Sequence, residues 1–215
     1  MIKKFRGERS IYAIFHMLQG KKSSQTIQDA HLFGLTTLYG IMPQLTRLQL
    51  QSIVEGLVSQ HWIQIHEKPE VFIISEQGEA QLANANPIPS RLNGWKYQNI
   101  SQHFWGRLNL LIQTLSNILH GETRFYPIQR EVKIQQAVKQ FLQKNQQNRE
   151  EMAAELFYDL EHILEGLSEI QRQIFVRKLT GKKRVGDTFE QIAHSMNLQE
   201  WYVRLLFLEC IHVMI

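Results

Sequence analysis

The strongest constraint on the fold lies between Leu50 and Ile74, where the spacing of apolar residues changes period. Leu50, Ile53, Val54, Leu57 and Val58 recur as on one helical face, and the chain then passes directly into Trp62-Ile63-Gln64-Ile65, a turn-like His66-Glu67-Lys68-Pro69-Glu70, and Val71-Phe72-Ile73-Ile74. Two helical segments precede this switch. Ile11, Ile14, Phe15 and Leu18 mark one that Gly20 ends; Ile27 and Ala30 mark a shorter one, with Ser24 as its expected cap and Gly34 as its end. A third helix starts after Pro43, near Thr46. Three short helices bury little surface alone, so a two-stranded wing against their edge is the economical way to close a core. The order helix, helix, helix, hairpin predicts a winged helix-turn-helix over residues 1–83, with Ser75 capping a trailing helix through Leu82.

Residues 84–94, which contain Pro87 and Pro89 and show no periodicity, read as a linker. The remainder reads as all-helical: a connector over 95–167 and a second helix-turn-helix over 168–215, packed together as one domain. In that second module Ser168-Glu169-Ile170-Gln171 and Thr188-Phe189-Glu190-Gln191 both have capping-box spacing, which fixes two helix starts. Asn197-Leu198 supplies a tight turn in which Asn tolerates a left-handed backbone, and a further helix begins near Gln199. The fold class is therefore mainly α, with one small β-hairpin.

Charge is placed unevenly. The 24 basic and 20 acidic residues leave a net charge of +4, compatible with nucleic-acid contact. From Glu150 to Glu169 there are acidic residues and no Lys or Arg, whereas Arg172, Arg177, Lys178, Lys182, Lys183 and Arg184 follow without one acid. The acidic stretch reads as a solvated helix face. Two basic loops are the candidate phosphate contacts. Lys21, Lys22, Ser23 and Ser24 precede a helix N-terminus, whose free amides favour an anion; Lys178, Lys182, Lys183 and Arg184 sit around Gly181 and Gly186. Base reading, if any, falls to Arg47, Gln49 and Gln51 on the third helix.

The last helix is apolar nearly all round. Val203, Leu206, Phe207 and Cys210 complete one core stripe, so Trp201, Leu205 and Leu208 either lie buried in a compact helical domain or form a surface that docks a partner.

Catalytic chemistry has little footing. Gly20-Lys21-Lys22-Ser23 lacks the upstream glycine and strand of a phosphate loop, and the nine histidines show no metal-ligand spacing. Cys210 stands alone, so no intramolecular disulfide forms and a reducing compartment fits. With no signal peptide and no apolar run of membrane-spanning length, the expectation is a cytoplasmic protein, possible nucleoid association included, that is not an enzyme and carries no metal or cofactor.

The segment Lys21-Lys22-Ser23-Ser24-Gln25-Thr26-Ile27-Gln28-Asp29-Ala30-His31-Leu32-Phe33 resembles the opening of the YpbB-type helix-turn-helix proteins of Gram-positive bacteria. Lys178-Leu179-Thr180-Gly181-Lys182-Lys183-Arg184-Val185-Gly186 and Tyr202-Val203-Arg204-Leu205-Leu206-Phe207-Leu208 resemble a later segment of that family. The resemblance implies a DNA-associated accessory protein without catalytic residues, partnered with a RecQ-type DNA helicase. It also implies a further C-terminal helix-turn-helix domain that these residues lack. Thr188 to Phe207 is similar to the promoter-reading module of sigma factors, but Trp201 and Leu205 stand where polar reading groups are expected, so promoter recognition is not carried over. The expected function is a non-enzymatic adaptor that holds a partner against DNA; the alternative is a sequence-specific transcriptional regulator.

Overall fold

The computed structural model describes residues 1–145 and 148–215, in two units, Met1–Gln98 and Asn99–Ile215. It is mainly helical, with one two-stranded antiparallel sheet among the described residues.

In the first unit α1 (Ile2–Phe5), α2 (Ile11–Gln19) and α3 (Ser24–Leu32) surround Phe5, Ile14, Met17, Ala30, Leu38 and Tyr39. Gly20 ends α2 at φ 73°, a left-handed conformation in which a Cβ is costly. Ser23, not Ser24, caps α3: its hydroxyl accepts from the Thr26 amide, which starts the helix at Ser24 itself. Helix α4 (Arg47–Ser59) opens with a reciprocal box between Thr46 and Gln49. Its buried stripe is narrower than the sequence spacing suggests. Leu50, Val54 and Leu57 meet Phe15, Leu45 and Ile63, while Ile53 and Val58 are exposed. At about 100° per residue the five positions span about 140°, and only the central part faces the core.

Strands β1 (Ile63–His66) and β2 (Lys68–Ile74) pair with Ile63 opposite Ile74 and Ile65 opposite Phe72. The turn is tighter than the expected five residues, because Glu67 adopts φ 52° and Lys68 already belongs to β2. Ser75 caps α5 (Glu76–Asn84) and donates to the His61 carbonyl at 2.6 Å, tying the helix to the strand entry. The first unit continues beyond the proline-containing stretch. Buried Leu92 leads into α6 (Gly94–Tyr97), where Trp95 meets the rings of Tyr39 at 5.1 Å and His31 at 4.9 Å.

The second unit contains α7 (Ser101–Leu119), α8 (Val132–Lys144), α9 (Arg149–Glu165), α10 (Glu169–Lys178), α11 (Phe189–Met196) and α12 (Glu200–Met214). Both sequence-predicted capping boxes form, at Ser168 with Gln171 and at Thr188 with Gln191. Asn197 takes the left-handed conformation at φ 52°, turning α11 into α12. The core joins Ile174 and Phe175 of α10, Ile192 of α11, and Val203, Cys210 and Ile211 of α12. Each fully enclosed Ile, Val or Phe among them contributes about 1.5–3 kcal/mol relative to exposure. Leu110 of α7 forms a smaller cluster with Ile134 and Val138 of α8.

Candidate nucleic-acid interface

The first basic loop is shaped by its neighbours. After Gly20 reverses the chain, the Lys21 amide donates to the His16 carbonyl at 2.9 Å, and the Tyr39 hydroxyl donates to the Lys21 carbonyl at 2.8 Å. These bonds hold the backbone while Lys21 and Lys22 remain exposed. Ser23 is committed to structure, since its hydroxyl caps Thr26 and pairs with the Thr26 hydroxyl at 2.8 Å. Ser24 is exposed in the first turn of α3, where amides lack helical partners.

Arg47 occupies the first turn of α4, with its guanidinium 5.5 Å from the Tyr12 ring. The His16 imidazole is held below its ordinary pKa, first by burial and then by the positive charges of Lys21 and Arg47. The charges of Lys21, in the loop before α3, and Arg47, in the first turn of α4, therefore both oppose protonation of this ring. The Nδ1 atom of His16 is enclosed without a hydrogen-bond partner. The other two base-reading candidates are engaged on their own helix: Gln49 completes the capping box, and Gln51 donates to Glu55 at 3.0 Å.

The second basic loop is fastened to α7. The Thr180 amide donates to Asn109 Oδ1 at 3.0 Å in the interior, and the Lys182 amide donates to Ser116 Oγ at 3.0 Å. A third bond, from the Gly186 amide to the Thr180 hydroxyl at 3.0 Å, closes the loop on itself. A Cβ on Gly186 would lie 2.2 Å from the Lys178 carbonyl, so only glycine permits this approach. Asn109, Ser116 and Thr180 escaped the sequence reading because their partners are 66 or 71 residues away, and no local period marks such pairs.

The loop's cations differ in availability. The Lys178 ammonium donates to the Asp187 carbonyl at 2.6 Å and lies 4.4 Å from the Phe189 ring; burial, then the nearby Arg204 charge, lowers its pKa, with Asp187 opposing. Lys182 pairs with Glu122 at 3.1 Å, and the Arg124 amide, followed by this Lys182 contact, holds the Glu122 carboxyl below its ordinary range. Arg184 donates to the Arg177 carbonyl at 3.1 Å and lies 3.6 Å from Asp187. Lys183 is exposed. An anion approaching this loop meets Lys183 directly and competes with Glu122 and Asp187 for the exposed Lys182 and Arg184.

At α12 the three candidate partner residues separate. Trp201 is 49% exposed, Leu208 is half-buried and Leu205 is only 6% exposed, so of the three Trp201 presents the most surface and Leu205 the least. Glu200, which carries the wrong sign for a phosphate, is paired with Arg204 at 2.6 Å.

Among the described residues no group of three or more His, Cys, Asp and Glu side chains could hold a metal ion, and no helix is long and apolar enough to cross a membrane. Cys210 is buried in the core.

No family model and no solved structure matches the chain. Over 99% of its length the chain is 34% identical to Protein YpbB of Bacillus subtilis (strain 168), and it spans 61% of that protein's length.

Proposed function

We propose that this chain is a non-enzymatic, DNA-associated accessory protein that works beside a RecQ-type DNA helicase. In this reading α2, α3, α4 and the hairpin act as a winged helix-turn-helix, and α10, α11 and α12 as a second helix-turn-helix. The observation that carries it is the placement of exposed Lys21 and Lys22, on a backbone held by the His16 carbonyl and the Tyr39 hydroxyl, just before the N-terminal turn of α3, with Arg47 in the first turn of α4. Helix starts and cations suit a phosphate backbone, and contacts of that kind position a protein on DNA without reading its sequence. With Gln49 and Gln51 engaged locally, the reading favours affinity without strong base preference. The helicase partnership rests on the resemblance to YpbB-type proteins.

Fluorescence anisotropy with duplex and forked DNA across ionic strength tests the DNA arm. Replacing Lys21, Lys22 and Arg47 with Gln should weaken binding similarly on unrelated sequences and reduce the logarithmic salt slope by roughly two to three. Co-purification with the organism's own RecQ-type helicase tests the partnership. Absence of both interactions would remove the proposal. Arg47 also keeps a second reading in view: selection from random duplexes that returns a defined motif, lost with Arg47→Gln, would instead make the protein an operator-reading regulator.

A further inference from the structure

Helices α7 and α8 enclose an apolar groove of about 350 Å³. Phe104, Leu108 and Leu111 of α7 and Val138 and Phe141 of α8 line it, and Arg107 is the one charged residue on its wall. Phe141 is 47% exposed, so the groove opens to solvent. Neither helix contains an Asp or Glu, while Arg107, Lys133, Lys139 and Lys144 all lie on them. Phe104 to Leu111 covers two helical turns, about 10 Å, the length over which a docked helix presents neighbouring anchors.

Helix α9 has the opposite character. Met152 is turned inward, whereas Phe157 is 61% exposed and Tyr158 66% exposed, with rings 5.9 Å apart. Around this pair α9 carries Glu155, Asp159 and Glu161 and, after Arg149, no Lys or Arg. Adjacent exposed aromatics are characteristic of interface cores, where their burial outweighs that of most other side chains. Opposed charge around matching apolar surfaces steers the encounter and fixes orientation. The groove is largely aliphatic, which suits a side chain better than a stacked base.

We propose that α9 of a second copy of this chain docks in the α7–α8 groove, with Phe157 and Tyr158 inserted and the α9 carboxylates facing the cations of α7 and α8. Each copy offers both surfaces, and in the proposed complex the two contacts are made reciprocally about a two-fold axis, the commonest symmetry of homo-oligomers.

Sedimentation velocity of the full chain over a wide concentration range tests this. The wild type should dimerise, more weakly as salt rises. Phe157→Ser with Tyr158→Ser removes the inserted surface, and Phe141→Ser removes one groove wall. These positions are exposed, so circular dichroism should remain native, and each variant alone should dissociate at least tenfold more readily. An equimolar mixture of the two should associate better than either alone, since one intact groove then meets one intact α9. A wild type that stays monomeric, a dimer indifferent to both variants, or a mixture no better than its components overturns the proposal. Binding of single-stranded oligothymidylate that Phe141→Ser abolishes also overturns it, by assigning the groove to nucleic acid.

Discussion

The Thr180 amide donates to Asn109 Oδ1 at 3.0 Å in the interior of the second unit, joining the second basic loop to the middle of α7. Asn109 is 4% exposed, so a substitution there leaves a backbone donor without water to replace its partner. Asn109→Leu should cost about 1–3 kcal/mol, the usual penalty for an orphaned buried donor. It should also lower any DNA affinity of the Lys182–Arg184 loop without altering charge. Urea unfolding gives the first quantity. An unchanged midpoint would mean that the loop is held by its other bonds alone.

The effect of the Lys21 and Arg47 charges on His16 has a direct spectroscopic test. Both cations oppose protonation of the ring, so Lys21→Gln and Arg47→Gln should each raise the His16 pKa, while the effect of burial persists. Proton NMR titration of the ring resolves the shifts. A value that moves with neither variant would mean that burial alone holds the ring below its ordinary pKa.

His212 makes the second unit sensitive to acid. Burial lowers its pKa to about 4 from an ordinary 6.5, and its Nε2 lies 3.2 Å from the Ser101 hydroxyl. Between these values the unfolded chain binds the proton and the folded one does not, so stability is fully retained above pH 6.5 and declines as pH falls toward 4. The total loss from this group is at most about 3 kcal/mol. Below pH 4 both states are protonated and the decline stops. In His212→Gln the difference in unfolding free energy between pH 7 and pH 4 should shrink; an identical pH profile in the variant would assign the acid sensitivity to other groups.

Gly186→Ala should disturb the same basic loop from its far end. The new methyl would press on the Lys178 carbonyl, which the structure places 2.2 Å away, and overpacking of this kind costs about 1–3 kcal/mol. Thermal unfolding measures the loss. Gly121, with nothing within 4 Å of its Cβ position but φ 72°, serves as the comparison in which only backbone strain is added.

Trp201 and Leu205 should respond in opposite ways. Leu205→Ala removes an enclosed side chain and should cost about 2–5 kcal/mol, whereas Trp201→Ser lies at an exposed site and should change stability by roughly 0.5 kcal/mol or less. Equal losses would show that Trp201 is also covered in solution.

Several helix starts and stops were legible in the amino-acid sequence because those signals are local, although the α3 cap fell at Ser23, one residue before the expected Ser24, and α1, which has no side-chain cap, and the short α6 escaped the sequence reading. Ser168, Thr188 and Asn197 act on backbone groups within a few residues, and the change of apolar period after Leu57 marks the hairpin without reference to the rest of the chain. The width of a buried stripe and the availability of a cation were decided only by tertiary packing. Ile53 and Leu205 are similar residues at helical spacing, yet one is exposed and the other enclosed, because the elements opposite them differ. Lys182 and Lys183 are chemically identical neighbours, but only Lys182 meets Glu122, 60 residues earlier, since the Asn109 and Ser116 bonds bring that part of the loop to α7. Local sequence sets backbone geometry through short-range bonds; the long-range approach of distant segments sets which charges and apolar faces remain to meet another molecule.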